Sequence, residues 1–256
     1  MHNKLKEIYQ VKSEEVKSID LTVYKERIFD LYSFKSSVQS NDGLSLIAEI
    51  KKASPSRGVI RKNFNINTII QDYKELNAQA ISVLTDQSFF QGSPEYLQSV
   101  KKNMNKPVLR KDFMIDEKQI EESYLMGADI VLLIVAMLDT KMLKALFKRA
   151  SSFGLDVLVE THTKDEISLA LDCGAEIVGI NNRDLNTFEV NIHTGIELVD
   201  SIPANIIKVA ESGIHTNADI NQIKQAGFDA VLIGEAFMKN TDISAVYNEL
   251  FGNDTN

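Results

Sequence analysis

The sequence predicts a single (β/α)8 barrel, also called a TIM barrel, on three observations. The chain has 256 residues, 44% of them hydrophobic, and one such barrel typically needs roughly 250 residues. Eight short apolar segments alternate with helical patterns. A similar small-residue element precedes four of these segments, at intervals of 49, 47 and 53 residues from Ala78 to Gly127, Gly174 and Gly227. This interval is the length of two β/α units.

The recurring element predicts a connector from a helix to a strand. A glycine just past a helix adopts the left-handed conformation that closes the last turn, and the next strand follows. An open doubly wound sheet is the alternative, but the sequence lacks the glycine-rich fingerprint that such a sheet usually carries after its first strand. The predicted strands lie near residues 46–51, 81–85, 107–111, 130–134, 156–160, 177–180, 206–211 and 230–233.

Residues 1–44 precede the first predicted strand and carry helical patterns of their own, such as Leu5, Ile8 and Tyr9. We expect an N-terminal helical extension that packs on a barrel of residues 45–256, either beneath its floor or over a bound ligand. Because no linker rich in proline and glycine divides the chain, we expect one domain in all.

Composition narrows the range of functions. The net charge is −8 without a long basic block, so nucleic acid is not an expected partner. Cys173 is the only cysteine, and the four histidines lack metal-ligand spacing, so we predict neither a disulfide nor a metal site. Only His162 lies near a strand end, where we expect a solvated loop. The sequence shows no signal peptide and no apolar run long enough for a bilayer. We therefore expect a cytoplasmic, monomeric protein that does not bind a membrane.

Four of the predicted strands end on charged residues. In a (β/α)8 barrel the carboxyl ends of the strands form the active site, and an unpaired buried charge costs several kcal/mol. A structural ion-pair network would explain any single pair, whereas five charges on four strands favour one acid–base site. These charged residues are Glu49, Lys51, Lys111, Glu160 and Glu211.

The loops after the seventh and eighth predicted strands indicate a phosphate site, with two ordinary tight turns as the alternative. Ser212 and Gly213 follow one strand, and Gly234 and Glu235 follow the other. Loops at these two places commonly bind phosphate in this fold. We expect the amide of Glu235 to bind and its carboxylate to point away.

Residues near other strand ends suit a sugar and an aromatic ring. Asn181 could bond a sugar hydroxyl, and Arg183 a carboxylate or phosphate, although the same residues would suit a solvated turn. Phe90 and Phe113 could clamp an aromatic ring, although an aromatic at such a place is more often part of the core.

Six motifs stand in order between about residues 5 and 250: 47–51 with 54–56, 82–86 with 89–93, 108–113, 179–185, 211–213 and 234–235. Together they resemble the indole-3-glycerol-phosphate synthase family of tryptophan biosynthesis. The resemblance implies a carbon–carbon lyase that cyclises 1-(2-carboxyphenylamino)-1-deoxyribulose 5-phosphate to indole-3-glycerol phosphate, with loss of CO2 and water and without a cofactor.

The resemblance also implies roles for individual residues. Lys111 would be the general acid and Glu160 a proton-transfer group in the later dehydration, with Lys51 and Glu49 as the remaining catalytic pair. Glu235 stands where some members have serine, which leaves open whether a hydroxyl helps to bind phosphate. Substrate would be held by Asn181, Arg183, Glu211, Ser54, Pro55, Phe90, Phe113 and Leu185, and its phosphate by Ser212, Gly213, Gly234 and the amide of Glu235.

Two other functions fit the same fold. A phosphosugar isomerase or Schiff-base aldolase would use Lys51 or Lys111 as a nucleophile rather than an acid. A barrel without activity would bind a phosphorylated metabolite and regulate a partner. Such a barrel needs the phosphate site but no matched acids and bases, so the set of two lysines and two glutamates argues against it.

Overall fold

Eight parallel strands close into a barrel in a computed structural model that describes residues 3–184 and 187–252. Each strand pairs with the next along the chain, and the eighth closes on the first. The predicted (β/α)8 barrel is therefore confirmed, with strand ends within about two residues of those expected. The strands are β1 Ser45–Ile50, β2 Ala80–Leu84, β3 Val108–Lys111, β4 Ile130–Ile134, β5 Asp156–Thr161, β6 Ile177–Asn181, β7 Ile207–Glu211 and β8 Ala230–Ile233.

Helices surround the barrel, and a short hairpin of Ala53–Ser54 and Gly58–Val59 follows β1. As predicted, Gly127 closes its helix in the left-handed conformation, with φ 106°. None of the helices in the described ranges is long and apolar enough to cross a membrane. The helices are α1 Asn3–Glu15, α2 Phe34–Gln39, α3 Ile66–Lys74, α4 Pro94–Asn103, α5 Glu117–Met126, α6 Thr140–Ser152, α7 Lys164–Asp172, α8 Ile192–Leu198, α9 Asn217–Gln225, α10 Glu235–Lys239 and α11 Ile243–Phe251, with 3-10 turns at Val16–Ser18, Leu21–Val23, Val135–Met137 and Val199–Ser201.

Apolar side chains form two layers because successive residues of a strand face opposite sides of the sheet. In β1, Leu46, Ala48 and Ile50 pack among residues of the surrounding helices, whereas Ile47 packs inside the barrel with residues such as Leu109. The charged residue in each of these strands stands two positions after an inward-facing apolar residue. By the same alternation, its side chain also faces the barrel axis. The apolar interior therefore ends in a charged layer at the carboxyl ends of the strands.

The segment before β1 contacts the lower rim of the barrel, at the amino ends of the strands. Arg27 Nη2 lies 2.8 Å from Oδ1 of the buried Asp129, which directly precedes β4. The amide of Phe34 donates to Oδ2 of Asp156, the first residue of β5, at 2.7 Å. Because the Phe34 ring packs with the interior cluster, it closes the floor.

Helix α1 lies at the opposite rim, over the barrel mouth. Lys12 is 2% exposed, and its Nζ lies 2.6 Å from Asp86 Oδ1 and 2.8 Å from Asp112 Oδ1. Asp86 lies two residues after the end of β2, and Asp112 directly follows β3. Burial by itself would lower the pKa of Lys12, but the two carboxylates outweigh it and raise that pKa. This ion triad fixes the N-terminal helix to the mouth.

We predict that Lys12→Met destabilises the protein by roughly 3–5 kcal/mol, because breaking a buried ion pair leaves its partners charged and unpaired. Urea unfolding followed by circular dichroism measures the change. Lys17→Met is the matched control. Lys12 and Lys17 each pair with a glutamate three residues away, Glu15 and Glu14, but the Lys17 side chain is 69% exposed. The control should change stability by no more than about 0.5 kcal/mol, and equal losses in both variants would contradict the triad's role.

Candidate active site

One cavity opens at the carboxyl ends of the strands, and the structure places the sequence-predicted site residues around it. It encloses about 1240 Å³ counted out to its open mouth, which suits a small-molecule ligand. Leu185 lies outside the described residues. The predicted residues that line the cavity are Glu49, Lys51, Ser54, Pro55, Phe90, Lys111, Phe113, Glu160, Asn181, Arg183, Glu211, Ser212, Gly213, Gly234 and Glu235.

Lys111 lies between two glutamates of other strands. Its Nζ is 2.6 Å from Glu211 Oε2 and 3.2 Å from Glu160 Oε2. Asn181 donates from Nδ2 to the other oxygen of Glu160 at 3.0 Å. Because β3, β5, β6 and β7 supply these four residues, the closure of the barrel itself builds the cluster.

The cluster changes the acidity of its members. Burial would lower the pKa of Lys111, but Glu211, Glu160 and Glu49 outweigh it and raise that pKa above its ordinary value. Burial raises the pKa of Glu211 to about 7, and repulsion from Glu160 and Glu49 adds to this effect. For Glu160, the attraction of Lys111 and His162 outweighs burial and lowers the pKa. Since the two glutamates share one ammonium, their titration belongs to the pair.

Glu49 and Lys51 form a second charged pair on the inner face of the barrel. Their Oε1 and Nζ atoms are 2.5 Å apart. The period of two along β1 predicted this proximity from sequence. Lys51 retains 19% side-chain exposure, so its ammonium can reach a ligand in the cavity.

Two glycines make room for the buried glutamates, a role that sequence reasoning missed. A Cβ at Gly179 would collide with Glu211 Oε1, and a Cβ at Gly234 would lie 2.5 Å from Glu49 Oε1. Side chains normally fill the inward positions of a barrel strand. A glycine at an inward position, opposite a predicted carboxylate, was therefore the sequence signal for this role.

Aromatic rings form one wall of the cavity. Phe113 lies 6.0 Å from Phe90, between ring centroids, and both line the cavity. Their backbone amides donate to the two aspartates that hold Lys12: Phe90 to Asp86 at 2.9 Å and Phe113 to Asp112 at 2.8 Å. The triad that fixes α1 therefore also orders the aromatic wall, which identifies Lys12 as a further residue that sequence reasoning missed.

The predicted phosphate loops form another part of the wall. Ser212 and Gly213 both have left-handed backbone, with φ of 66° and 83°, so the chain turns sharply after β7. Asn182, which is buried, donates from Nδ2 to the Ser212 carbonyl at 3.0 Å and accepts from the Gly195 amide. Asn182 thereby fixes the turn. From sequence, the 179–185 motif around it predicted contacts with a ligand but not this structural role.

The Glu235 carboxylate lies among cations. Its oxygens are 2.5 Å from Lys239 Nζ, 3.4 Å from Arg57 Nε and 3.9 Å from Arg183 Nη2. Burial would raise the pKa of Glu235, but Lys239, Arg57 and Lys51 outweigh it and lower that pKa. The carboxylate thus remains negative and is neutralised by neighbours at the cavity wall.

The expectation that His162 lies in a solvated loop is wrong. Its side chain is 12% exposed, with Nε2 3.6 Å from Glu160 Oε1 and Nδ1 3.3 Å from Glu166 Oε2. The alternation of β5 continues past its end, so His162 follows Glu160 onto the inner face, and α7 begins close enough for Glu166 to reach it. Among residues 3–184 and 187–252, no three histidine, cysteine or acidic side chains are grouped to hold a metal ion.

Known proteins are similar to this chain over most of its length. A family model described as "Indole-3-glycerol phosphate synthase" matches residues 1–250. The chain belongs to the indole-3-glycerol phosphate synthase family. Relatives of that name include those of Chloroherpeton thalassium, 52% identical over 80% of this chain and 79% of the relative, and of Caldanaerobacter subterraneus subsp. tengcongensis, 49% identical over 92% of this chain and 93% of the relative.

Solved structures of other enzymes share the fold at low sequence identity. The 3-hexulose-6-phosphate synthase of Salmonella typhimurium has a TM-score of 0.63 and 15% identity, covering 81% of this chain and 96% of that one. The protein titled KGPDC from Streptococcus mutans has a TM-score of 0.60 and 13% identity, covering 82% and 96%. These similarities concern the barrel alone.

We predict that Gly179→Ala lowers kcat by about 10²-fold, because the added methyl group displaces the Glu211 carboxylate and a displacement of about 1 Å can cost that much. Steady-state kinetics measures the loss, and thermal unfolding shows whether the variant is folded. The double variant Gly179→Ala with Glu211→Asp should recover part of the activity, since the shorter side chain leaves space. Wild-type kcat in Gly179→Ala would contradict the packing role.

Proposed function

We propose that this protein cyclises 1-(2-carboxyphenylamino)-1-deoxyribulose 5-phosphate to indole-3-glycerol phosphate, with loss of CO2 and water, in tryptophan biosynthesis. The observation that carries the proposal is the position of Lys111. It faces a cavity between Glu160 and Glu211, with an aromatic wall and the turn at Ser212 around the same space. Membership of the family supports the same reaction.

Lys111 acts as the general acid in the first step. The aromatic ring attacks the ketone carbon of the ribulose, and the ketone oxygen needs a proton as the carbon–carbon bond forms. An ammonium held by two carboxylates stays protonated and fixed in direction, as a positioned acid requires. Loss of CO2 then restores the aromatic ring.

Glu160 transfers a proton in the later dehydration, in which the hydroxyl leaves as water and the indole double bond forms. Its lowered pKa keeps it ionised at neutral pH, the state that a base needs. Lys51, paired with Glu49 at 2.5 Å, supplies a second ammonium for the leaving hydroxyl. Glu211 retains one oxygen, Oε1, without a hydrogen-bond partner in the described structure, which suits a substrate hydroxyl.

The substrate's two ends fit different walls. Phe90, Phe113 and Pro55 surround the anthranilate ring together with Ser54, and Asn181 binds the sugar with Glu211. The phosphate binds at the turn after β7 and at the start of α10, with Arg183 nearby. The residues at these two places are Ser212, Gly213, Gly234 and Glu235. Leu185 is proposed at the anthranilate end on the family motif alone. We also propose that the protein acts as a cytoplasmic monomer without a cofactor or nucleic-acid partner, in keeping with its acidic net charge.

Incubation of the purified protein with the anthranilate-derived ribulose phosphate tests the reaction. Indole fluorescence should appear together with one equivalent of CO2. Absence of an indole product would overturn the proposal. If borohydride with a ketose phosphate trapped a covalent adduct on Lys111, an aldolase-type nucleophile would replace the general acid.

We predict that Lys111→Met and Glu160→Gln each lower kcat by about 10²–10⁴-fold, the usual contribution of a general acid or base. Lys106→Met is the matched control, because Lys106 stands before β3 at the opposite rim and donates to the carbonyls of Leu76 and Ala78. The kcat of the Lys106→Met variant should stay within about twofold of the wild-type value. Wild-type turnover in Lys111→Met or Glu160→Gln would contradict the assigned roles.

We predict that Glu235→Gln tightens inorganic phosphate binding by about threefold to tenfold at low ionic strength, since it removes a negative charge beside the proposed phosphate site. Titration calorimetry measures the affinity, and added salt should reduce the difference. Glu197→Gln, on the exposed face of α8, removes the same charge at a distance and should have no effect. Weaker phosphate binding in Glu235→Gln would show that the carboxylate orders the site instead.

A further inference from the structure

The side chain of His162 lies between a second cavity and the proposed catalytic cluster of Lys111, Glu160 and Glu211. Its Nε2 is buried, has no hydrogen-bond partner in the described structure, and lies 3.6 Å from Glu160 Oε1. Its Nδ1 faces Glu166 Oε2 at 3.3 Å. The same glutamate oxygen accepts the His162 backbone amide at 2.7 Å, so α7 holds the imidazole in place.

The second cavity adjoins the first. His162 and Glu166 line the second, Glu160 lines the first, and Asn181 and Arg183 line both. Polar side chains such as Asn191 form much of the second cavity's wall, which suits water. His162 is therefore a titratable group between a wet, polar space and a buried carboxylate.

The proposed reaction, on which this inference rests, consumes one proton from solution in each turnover. The substrate's carboxylate is an anion at neutral pH and leaves as neutral CO2. Two protons are added to the former ketone oxygen, one when the carbon–carbon bond forms and one when water leaves, and one proton is lost from the carbon that becomes part of the indole double bond. The net uptake is one proton, which has to enter a cluster that is buried beneath bound substrate.

We propose that His162, oriented by Glu166, is the residue through which this proton enters, passing it from the second cavity to Glu160 and from there to Lys111. The contact for the second transfer, from Glu160 to Lys111, is already formed, because Glu160 Oε2 lies 3.2 Å from Lys111 Nζ. A small rotation of the imidazole brings Nε2 within hydrogen-bond distance of Glu160. Each turnover takes one proton from Lys111 and one from Lys51 and places one on Glu160, so the proton that enters through His162 and the proton on Glu160 together restore both ammonium groups.

The charges around His162 suit a proton carrier near neutral pH. Burial would lower the pKa of His162, but Glu166, Glu160 and Glu211 outweigh it and raise that pKa above the ordinary value. Lys111 opposes this effect from the far side of Glu160, and the second cavity adds Arg183, Asp184 and Glu189. A histidine is the side chain whose ordinary pKa lies closest to neutrality.

His162→Asn tests the route, with exposed His193→Asn on α8 as the matched control. We expect the His162→Asn variant to fold and to lose about tenfold in kcat near pH 8.5, less at pH 6, where protons are abundant. Added imidazole should restore kcat in proportion to the concentration of its acid form. The wild type and the His193→Asn control should not respond to imidazole.

Glu166→Gln provides a second variant, because its amide oxygen can still accept the His162 backbone amide. Loss of the carboxylate lowers the pKa of His162, so the proton donor is lost at a lower pH. The fall of kcat on the alkaline side should therefore move to lower pH than in the wild type, while KM changes little.

The outcomes separate the proton route from the reaction itself. If the wild-type protein made no indole product, the proposed function would fail. If the wild type turned over and His162→Asn kept kcat within twofold at pH 8.5 without an imidazole effect, the route alone would be overturned. If kcat of Glu166→Gln fell at the same alkaline pH as kcat of the wild type, the proposed route would be overturned as well.

Discussion

The pairing of five buried charges at the barrel mouth is the constraint on which the rest of the site depends. Two ammonium groups face three carboxylates, so the cluster cannot neutralise itself with every member ionised. Burial without full pairing is costly, and the raised pKa of Glu211, about 7, expresses that imbalance. The cluster consists of Glu49, Lys51, Lys111, Glu160 and Glu211.

The surrounding structure supports this cluster in several ways. Gly179 leaves space for a carboxylate, and Asn181 fixes the direction of Glu160. The Lys12 triad joins α1 to the ends of β2 and β3. The helix that covers the mouth and the aromatic wall is therefore held by an ion group separate from the charged cluster. Arg57 and Arg183 lie near Glu235, at another part of the cavity wall.

The fold and the charged cluster could be predicted from sequence because both follow from short-range patterns. Eight apolar segments at regular intervals specify the barrel, and a period of two turns Glu49 and Lys51 to one side. The position of His162 could not be predicted, because its burial depends on Glu166 of the following helix and on closure of the barrel around it. Lys12 was missed for a similar reason, since its partners lie about 74 and 100 residues away.

The family motifs supplied roles that patterns alone left open. Charge at a strand end indicates proton chemistry but not which lysine is the acid, and the contacts of Lys111 with two glutamates on other strands became visible only in three dimensions. Glu235 shows the converse. Its sequence position suggested a carboxylate turned away from the site, whereas the side chain lies at the cavity wall and is balanced by Lys239 and Arg57.

The most direct test of the central claim is the titration of the glutamate side chains by carbon-13 NMR, with the resonance of the cluster assigned by comparison with Glu211→Gln. Shared use of one ammonium by Glu160 and Glu211 predicts that a carboxyl group of this pair titrates near pH 7. A spectrum in which every glutamate titrates below about pH 5, as ordinary glutamates do, would contradict it.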